Sequence, residues 1–184
     1  MDRPLRAHAR RNQARVIAAA REVFAEAGPE ASLNEIARRA EVGPGTLYRH
    51  FPTRRALLTA VLRDRIEALC GRGEELLATT SPDDALAEWL GAFLAHARSG
   101  HGLGGAVMTA GPDELGVDCH QRITDTAARL LGNAQRSGTA RDDLSPGDLL
   151  QLVVGIALAT AHTDDPDEPD RLLGLVLDGI PRTR

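Results

Sequence analysis

The side chains best placed to do chemistry in this 184-residue sequence lie between Ser32 and Arg55, in the run SLNEIARRAEVGPGTLYRHFPTRR. Ser32, Thr46, Tyr48, Arg49, His50 and Arg54 are hydroxyls, an imidazole and cations. Such groups donate hydrogen bonds to phosphate oxygens and base edges. Pro44, Gly45 and Thr46 are small, so the backbone there can approach another molecule closely. Thr46 can offer a methyl to thymine and a hydroxyl to phosphate, and Arg49 can reach guanine or phosphate. Ser32 sits at a helix start, where its hydroxyl and the helix dipole favour a phosphate. Arg54 is expected to clamp the nucleic-acid backbone from the start of the following helix. Catalytic chemistry fits less well. His96, His101, Cys119 and His120 are metal-ligand types, but their spacing matches no compact zinc motif. Gly100, Gly102 and Gly105 satisfy GxGxxG but follow a helical pattern rather than a strand, and without lysine no Walker A sequence is possible. No metal or cofactor is expected.

These side chains need a short helix, a turn and a second short helix to hold them. Ser32 and Glu35 have the spacing of a capping box. Leu33, Ile36, Ala37 and Ala40 recur on one helical face. Gly43 is expected to break that helix, Pro44 to open the next, and Pro52 to end it after His50. Leu47 and Phe51 are the anchors of this second helix, which completes a helix-turn-helix pattern. A preceding helix over Arg11–Ala27, with Val16, Ala20, Val23 and Phe24 on one stripe, supplies the third wall of a small core. Residues 1–10 are expected to be a solvated tail, with Arg10 and Arg11 available to lie along DNA.

At these residues the run IARRAEVGPGTLYRHFPTRRALL resembles the DNA-binding signature of the TetR family of bacterial transcriptional regulators. The resemblance covers roughly Arg11 to Leu62 and implies that Tyr48 and His50 hold phosphate-contacting and groove-edge positions. Arg54 stands where lysine is common, and keeps the charge. EWLGAFLAHARSGHGLGGAVM, ending at Met108, is similar to the SbtR-like C-terminal domains of such regulators.

The remainder of the chain agrees with an all-α reading. Hydrophobic residues make up 42% and aromatic residues only 3%, which favours aliphatic helix packing. A long helix is expected from near Thr53 to Ala78, interrupted at Gly71 and Gly73, then one from Ser81 to Ser99. Gly100 to Gly105 reads as a loop or broken helix. Further helices are expected over Leu115–Ser137, Ser145–Ala161 and Glu168–Ile180. The last two are apolar nearly all round and must be covered all round. Leu149, Leu152, Val153, Ile156, Leu172, Leu175 and Val176 are therefore the expected homodimer contacts, because a two-fold operator also requires two copies. Residues 1–55 are expected to form the DNA-binding domain and 56–184 the helical ligand-binding and dimerisation domain. Trp89, Phe93, His96, Met108 and His120 are candidates to line an effector pocket.

Charge divides along the same line. Residues 1–65 carry 13 arginines against seven acids, and the remainder nine against 19, within a net charge of −4. That asymmetry points to a basic nucleic-acid module on an acidic body. Two cysteines are too few for a disulfide framework. The opening is basic and polar, and no apolar run approaches the ~20 residues of a membrane span. A soluble, cytoplasmic protein is expected. The reading is a homodimeric, ligand-responsive transcriptional repressor, not an enzyme, whose partners are operator DNA, a second copy and a small-molecule effector. Its rivals are a small helical enzyme using His96, His101 and His120, and an unliganded helix-turn-helix architectural or protein-binding factor.

Overall fold

The computed structural model describes residues 3–108 and 117–180, with side chains over 8–99 and 119–180. Among the described residues all regular structure is helical: α1 Arg3–Ala27, α2 Leu33–Arg39, α3 Pro44–His50, α4 Arg54–Thr79, α5 Pro82–Met108, α6 Val117–Arg136, α7 Pro146–Ala159 and α8 Glu168–Asp178. No helix among them is long and apolar enough to cross a membrane. Two expectations are corrected. Helix α1 begins at Arg3 rather than Arg11. The Arg, Ala and Leu of its first turns have good helix propensity, and Pro4 is tolerated in a first turn. Helix α5 also continues through Gly100–Gly105. Glycine costs about 1 kcal/mol per helical position, which weakens a helix without forbidding it.

The chain separates into two compact units, the first centred on residues up to Arg65 and the second on the residues that follow. In the first, α1 packs on α2 and α3, and α2 on α3. Val16, Ala20 and Phe24 of α1 meet Ile36 of α2, Leu47 of α3 and Leu57 of α4, all within 2% of full burial. The periodic stripe of each short helix thus becomes one shared core, which neither could form alone.

The expectation of a glycine turn between α2 and α3 is corrected. Gly43 is extended (φ −69°), and the left-handed position falls on Glu41 (φ 50°). The Glu41 N–H bonds to Arg38 O and the Val42 N–H to Ala37 O, the paired closure of a Schellman motif. A non-glycine residue there costs roughly 1 kcal/mol. Glu41 is held by Arg15, whose Nη2 donates to its carboxylate at 2.5 Å.

The two Ser-x-x-acid starts also differ. At α7, Ser145 Oγ accepts the Asp148 N–H (3.1 Å) and Asp148 accepts the Ser145 N–H (2.9 Å), a closed capping box. At α2, Ser32 Oγ accepts the Glu35 N–H at 3.5 Å, but the return bond is missing. Glu35 has arginines three and four residues on, and its carboxylate turns to them instead. Asp148 is followed at those distances by Gln151 and Leu152, which offer no competing cation.

In the second unit α6 packs on α7 and α7 on α8. Trp89 of α5 is fully buried, and its Nε1–H donates to Leu69 O of α4 at 3.0 Å. Helix α4 passes unbroken through both glycines that were expected to interrupt it. Gly73 lies where the Trp89 indole and the Thr126 methyl of α6 close on the α4 backbone, while nothing stands within 4 Å of a side chain at Gly71.

Candidate nucleic-acid interface

Helix α3 is anchored on one side and presented on the other. Leu47 is 1% and Phe51 4% exposed, whereas Tyr48 is 47% exposed and Arg49 is exposed beside it. Thr46 and His50 are half-buried at the edges of that outward face, the His50 ring 6.3 Å from Phe51. Pro44 and Gly45 at its start are exposed, and a Cβ on Gly45 would meet nothing. The fold itself therefore does not require glycine there. Arg49 has no ion-pair partner among the described residues.

Other arginines of this unit are spoken for. Arg38 donates from Nε and Nη2 to both oxygens of Glu35 at 2.8 and 2.7 Å. Arg39 donates from Nε to Glu35 at 2.9 Å and from both terminal nitrogens to Glu26 at 2.7 and 2.6 Å. The bonds from Arg38 and then Arg39 hold the Glu35 carboxyl down at about 2, and the bonds Arg39 donates to Glu26 and Glu35 raise its already high pKa. The Glu35 spacing to Arg38 and Arg39 is legible as helical ion pairing. The Glu26 contact, made from α1, is not, because it depends on how α1 crosses α2.

Arg54 also makes contacts within the protein through its guanidinium. Its side chain is half-buried, and Nη1 donates to Pro29 O at 2.9 Å and Ala31 O at 2.5 Å. The guanidinium so ties the turn before α2 to the first turn of α4, where Thr53 Oγ1 caps the Ala56 N–H. Arg54→Ala leaves two carbonyls without their cationic donor, a loss of about 2 kcal/mol. Thermal melting should show the drop, which a side chain serving only DNA would not cause. Arg10 lies on α1 together with Arg11, rather than in the tail before it. Ser32 is exposed at the α2 cap.

A second candidate surface lies on α7 and α8. The outward side of α7 carries Leu152, Val154, Gly155, Leu158 and Ala159, with only Gln151 and Asp148 polar among them. Leu152 is 47%, Leu158 58% and Leu175 of α8 65% exposed. Leu152, Gly155, Ile156, Leu172, Leu175 and Val176 line a groove between the two helices. Leu149 and Val153, expected at a partner contact, are instead fully buried in the protomer's own core. A helix apolar all round has two kinds of covered face, and composition alone does not divide them.

Of the expected effector-pocket residues, Trp89, Phe93 and His96 form a continuous stack, with ring centroids 5.7 and 6.4 Å apart. Trp89 and Phe93 are buried, His96 is half-buried and His120 exposed, while the side chains of Met108 and His101 lie outside the described residues. No metal-binding cluster of His, Cys, Asp or Glu occurs among the described residues.

Residues 16–61 match the family described as bacterial regulatory proteins, tetR family. Residues 81–182, more than half of the chain, match the family described as transcriptional regulator SbtR-like, C-terminal domain. A TetR transcriptional regulator from Streptomyces coelicolor shares 39% identity, covers 94% of this chain and 99% of its own, and superposes with a TM-score of 0.82. A TetR regulatory protein from Mycobacterium vanbaalenii shares 35% over 97% of this chain and 100% of its own, with a TM-score of 0.79. The helix-turn-helix transcriptional repressor Rv3405c of Mycobacterium tuberculosis is 32% identical across 79% of this chain and 86% of its own. The outward polar face of α3, the all-helical body and these similarities agree: the chain belongs to the TetR family of DNA-binding bacterial transcriptional regulators, with an SbtR-like C-terminal domain.

Proposed function

We propose that the chain is a cytoplasmic repressor that binds a palindromic operator as a homodimer and is released by a small-molecule effector. The observation that carries the reading is the outward face of α3. Tyr48 and unpaired Arg49 stand on it, and Thr46 lies beside a glycine that the protein's own packing does not need. A helix so presented suits a major groove about 12 Å wide, with its first residues closest to the base edges. Thr46 and Arg49 are assigned to base edges, and Ser32, Tyr48 and His50 to phosphate. The exposed leucines of α7 and α8 support the second copy, since a patch of this kind marks an association surface. Repression is favoured by the 32% identical mycobacterial repressor. The effector is placed in the second unit, near the Trp89–Phe93–His96 stack. It can act only if it binds the DNA-competent and incompetent states unequally.

Selecting bound fragments from source genomic DNA tests this reading. The expected result is enrichment of an inverted repeat, with half-sites one helical turn or a multiple of it apart. Recovery of fragments without two-fold symmetry would overturn the dimeric operator reading.

A further inference from the structure

The positive charge of the first unit is unevenly available. Arg49 on α3 is unpaired among the described residues, but Arg38 and Arg39 on α2 are enclosed by carboxylates of the same chain. Both planar donor edges of Arg39 are in use, one on Glu35 and the other on Glu26. The Arg38 fork is filled by Glu35 although its side chain is 72% exposed. Such exposed pairs add little to stability, typically under ~1 kcal/mol. Fold stability is therefore a poor account of why two arginines share one glutamate here.

We propose that Glu35 is a specificity-determining residue that withholds Arg38 and Arg39 from nucleic-acid phosphate. The proposal rests on the DNA-binding reading of α3. Non-specific affinity comes almost wholly from counterion release, with a slope of about −0.9 in log affinity against log salt per phosphate neutralised. A guanidinium whose fork is filled by its own carboxylate brings no net charge to the duplex and releases no counterion. Specificity is the ratio of operator to random-site affinity, so lowering the second raises the ratio without any further base contact. Arg49 then carries the charge that reaches DNA from α3, and α2 contributes geometry with little attraction.

The test measures binding of the full chain to a random-sequence duplex by fluorescence anisotropy over a salt series. Arg38→Gln alone should leave the slope unchanged and the affinity within about twofold, because that charge is already withheld. Glu35→Gln should steepen the slope by about one and tighten low-salt binding roughly three- to tenfold. The double variant E35Q/R38Q should move back toward the unsubstituted slope. Glu22→Gln is the control, since Glu22 is exposed on α1 and has no ion pair among the described residues. It makes the same change in net charge and should shift affinity by less than about twofold. A loss of about one in slope from R38Q alone, or an E35Q indistinguishable from E22Q, would overturn the proposal. Should E35Q fail to fold, Glu26→Gln frees the terminal nitrogens of Arg39, and a slope equal to that of E22Q would overturn it equally. If the unsubstituted chain shows no salt-dependent duplex binding, the DNA reading itself fails, and this inference with it.

Discussion

Leu152→Arg is expected to leave the chain folded, convert dimers to monomers and weaken operator binding about 100-fold or more. Folding should survive because Leu152 is already 47% exposed in the protomer, so arginine there meets water and not core. In the proposed two-copy arrangement the partner would cover the same position. An unpaired guanidinium buried in that seam loses hydration worth several kcal/mol, enough to abolish association. The affinity loss follows from losing the second recognition helix, since linking two binding modules raises avidity by 10²–10⁴. Leu149→Arg provides the contrast. Leu149 is 0% exposed, one turn from Leu152 but on the inner face, and its substitution should unfold the second unit. Light scattering and circular dichroism separate the two outcomes. A dimer mass retained by L152R would move the interface elsewhere.

Gly73→Ala is expected to destabilise the second unit by about 3 kcal/mol, and Gly71→Ala to stabilise it by up to ~1 kcal/mol, although both replace glycine in one helix. A Cβ on Gly73 would stand 2.4 Å from Thr126 Cγ2 and 3.1 Å from Trp89 Nε1. Neither neighbour yields easily. Trp89 is pinned by its bond to Leu69 O, and Thr126 Oγ1 donates to Arg122 O at 2.8 Å. Relief therefore requires α4 to part from α5 or α6. At Gly71 the new methyl would meet nothing, and alanine removes only the entropy penalty of glycine. At roughly 2–4 °C per kcal/mol, thermal melts should move in opposite directions for the two variants. A common direction would show that helix propensity, not the close approach, governs the pair.

The candidate site was legible where its signals were local. Pro44 at the start of α3, Leu47 and Phe51 one turn apart, and Pro52 after it determine that helix within nine residues. The outward placement of Tyr48 and Arg49 follows from the same periodicity. The failures involve competition or distance. Glu35 had the right spacing to close a capping box, but two arginines outbid the backbone N–H for its carboxylate. Arg54 is 23 and 25 residues from the carbonyls it holds, so nothing adjacent in sequence marks it as a tie. Leu149 and Leu152 are identical in type, and only the packing of α7 on α6 and α8 decides which is inside. Gly73 and Gly71 differ just as invisibly, since the indole that makes one of them necessary arrives from another helix.

The central claim is that α3 reads a major groove from each of two copies. Methylation interference on an operator fragment measures this directly, because dimethyl sulfate marks guanine N7 in the major groove and adenine N3 in the minor groove. Guanine methylation should block binding in two patches about 10 base pairs, or a multiple of that, apart on the same face of the duplex. Interference confined to adenine N3, or to a single patch, would contradict it.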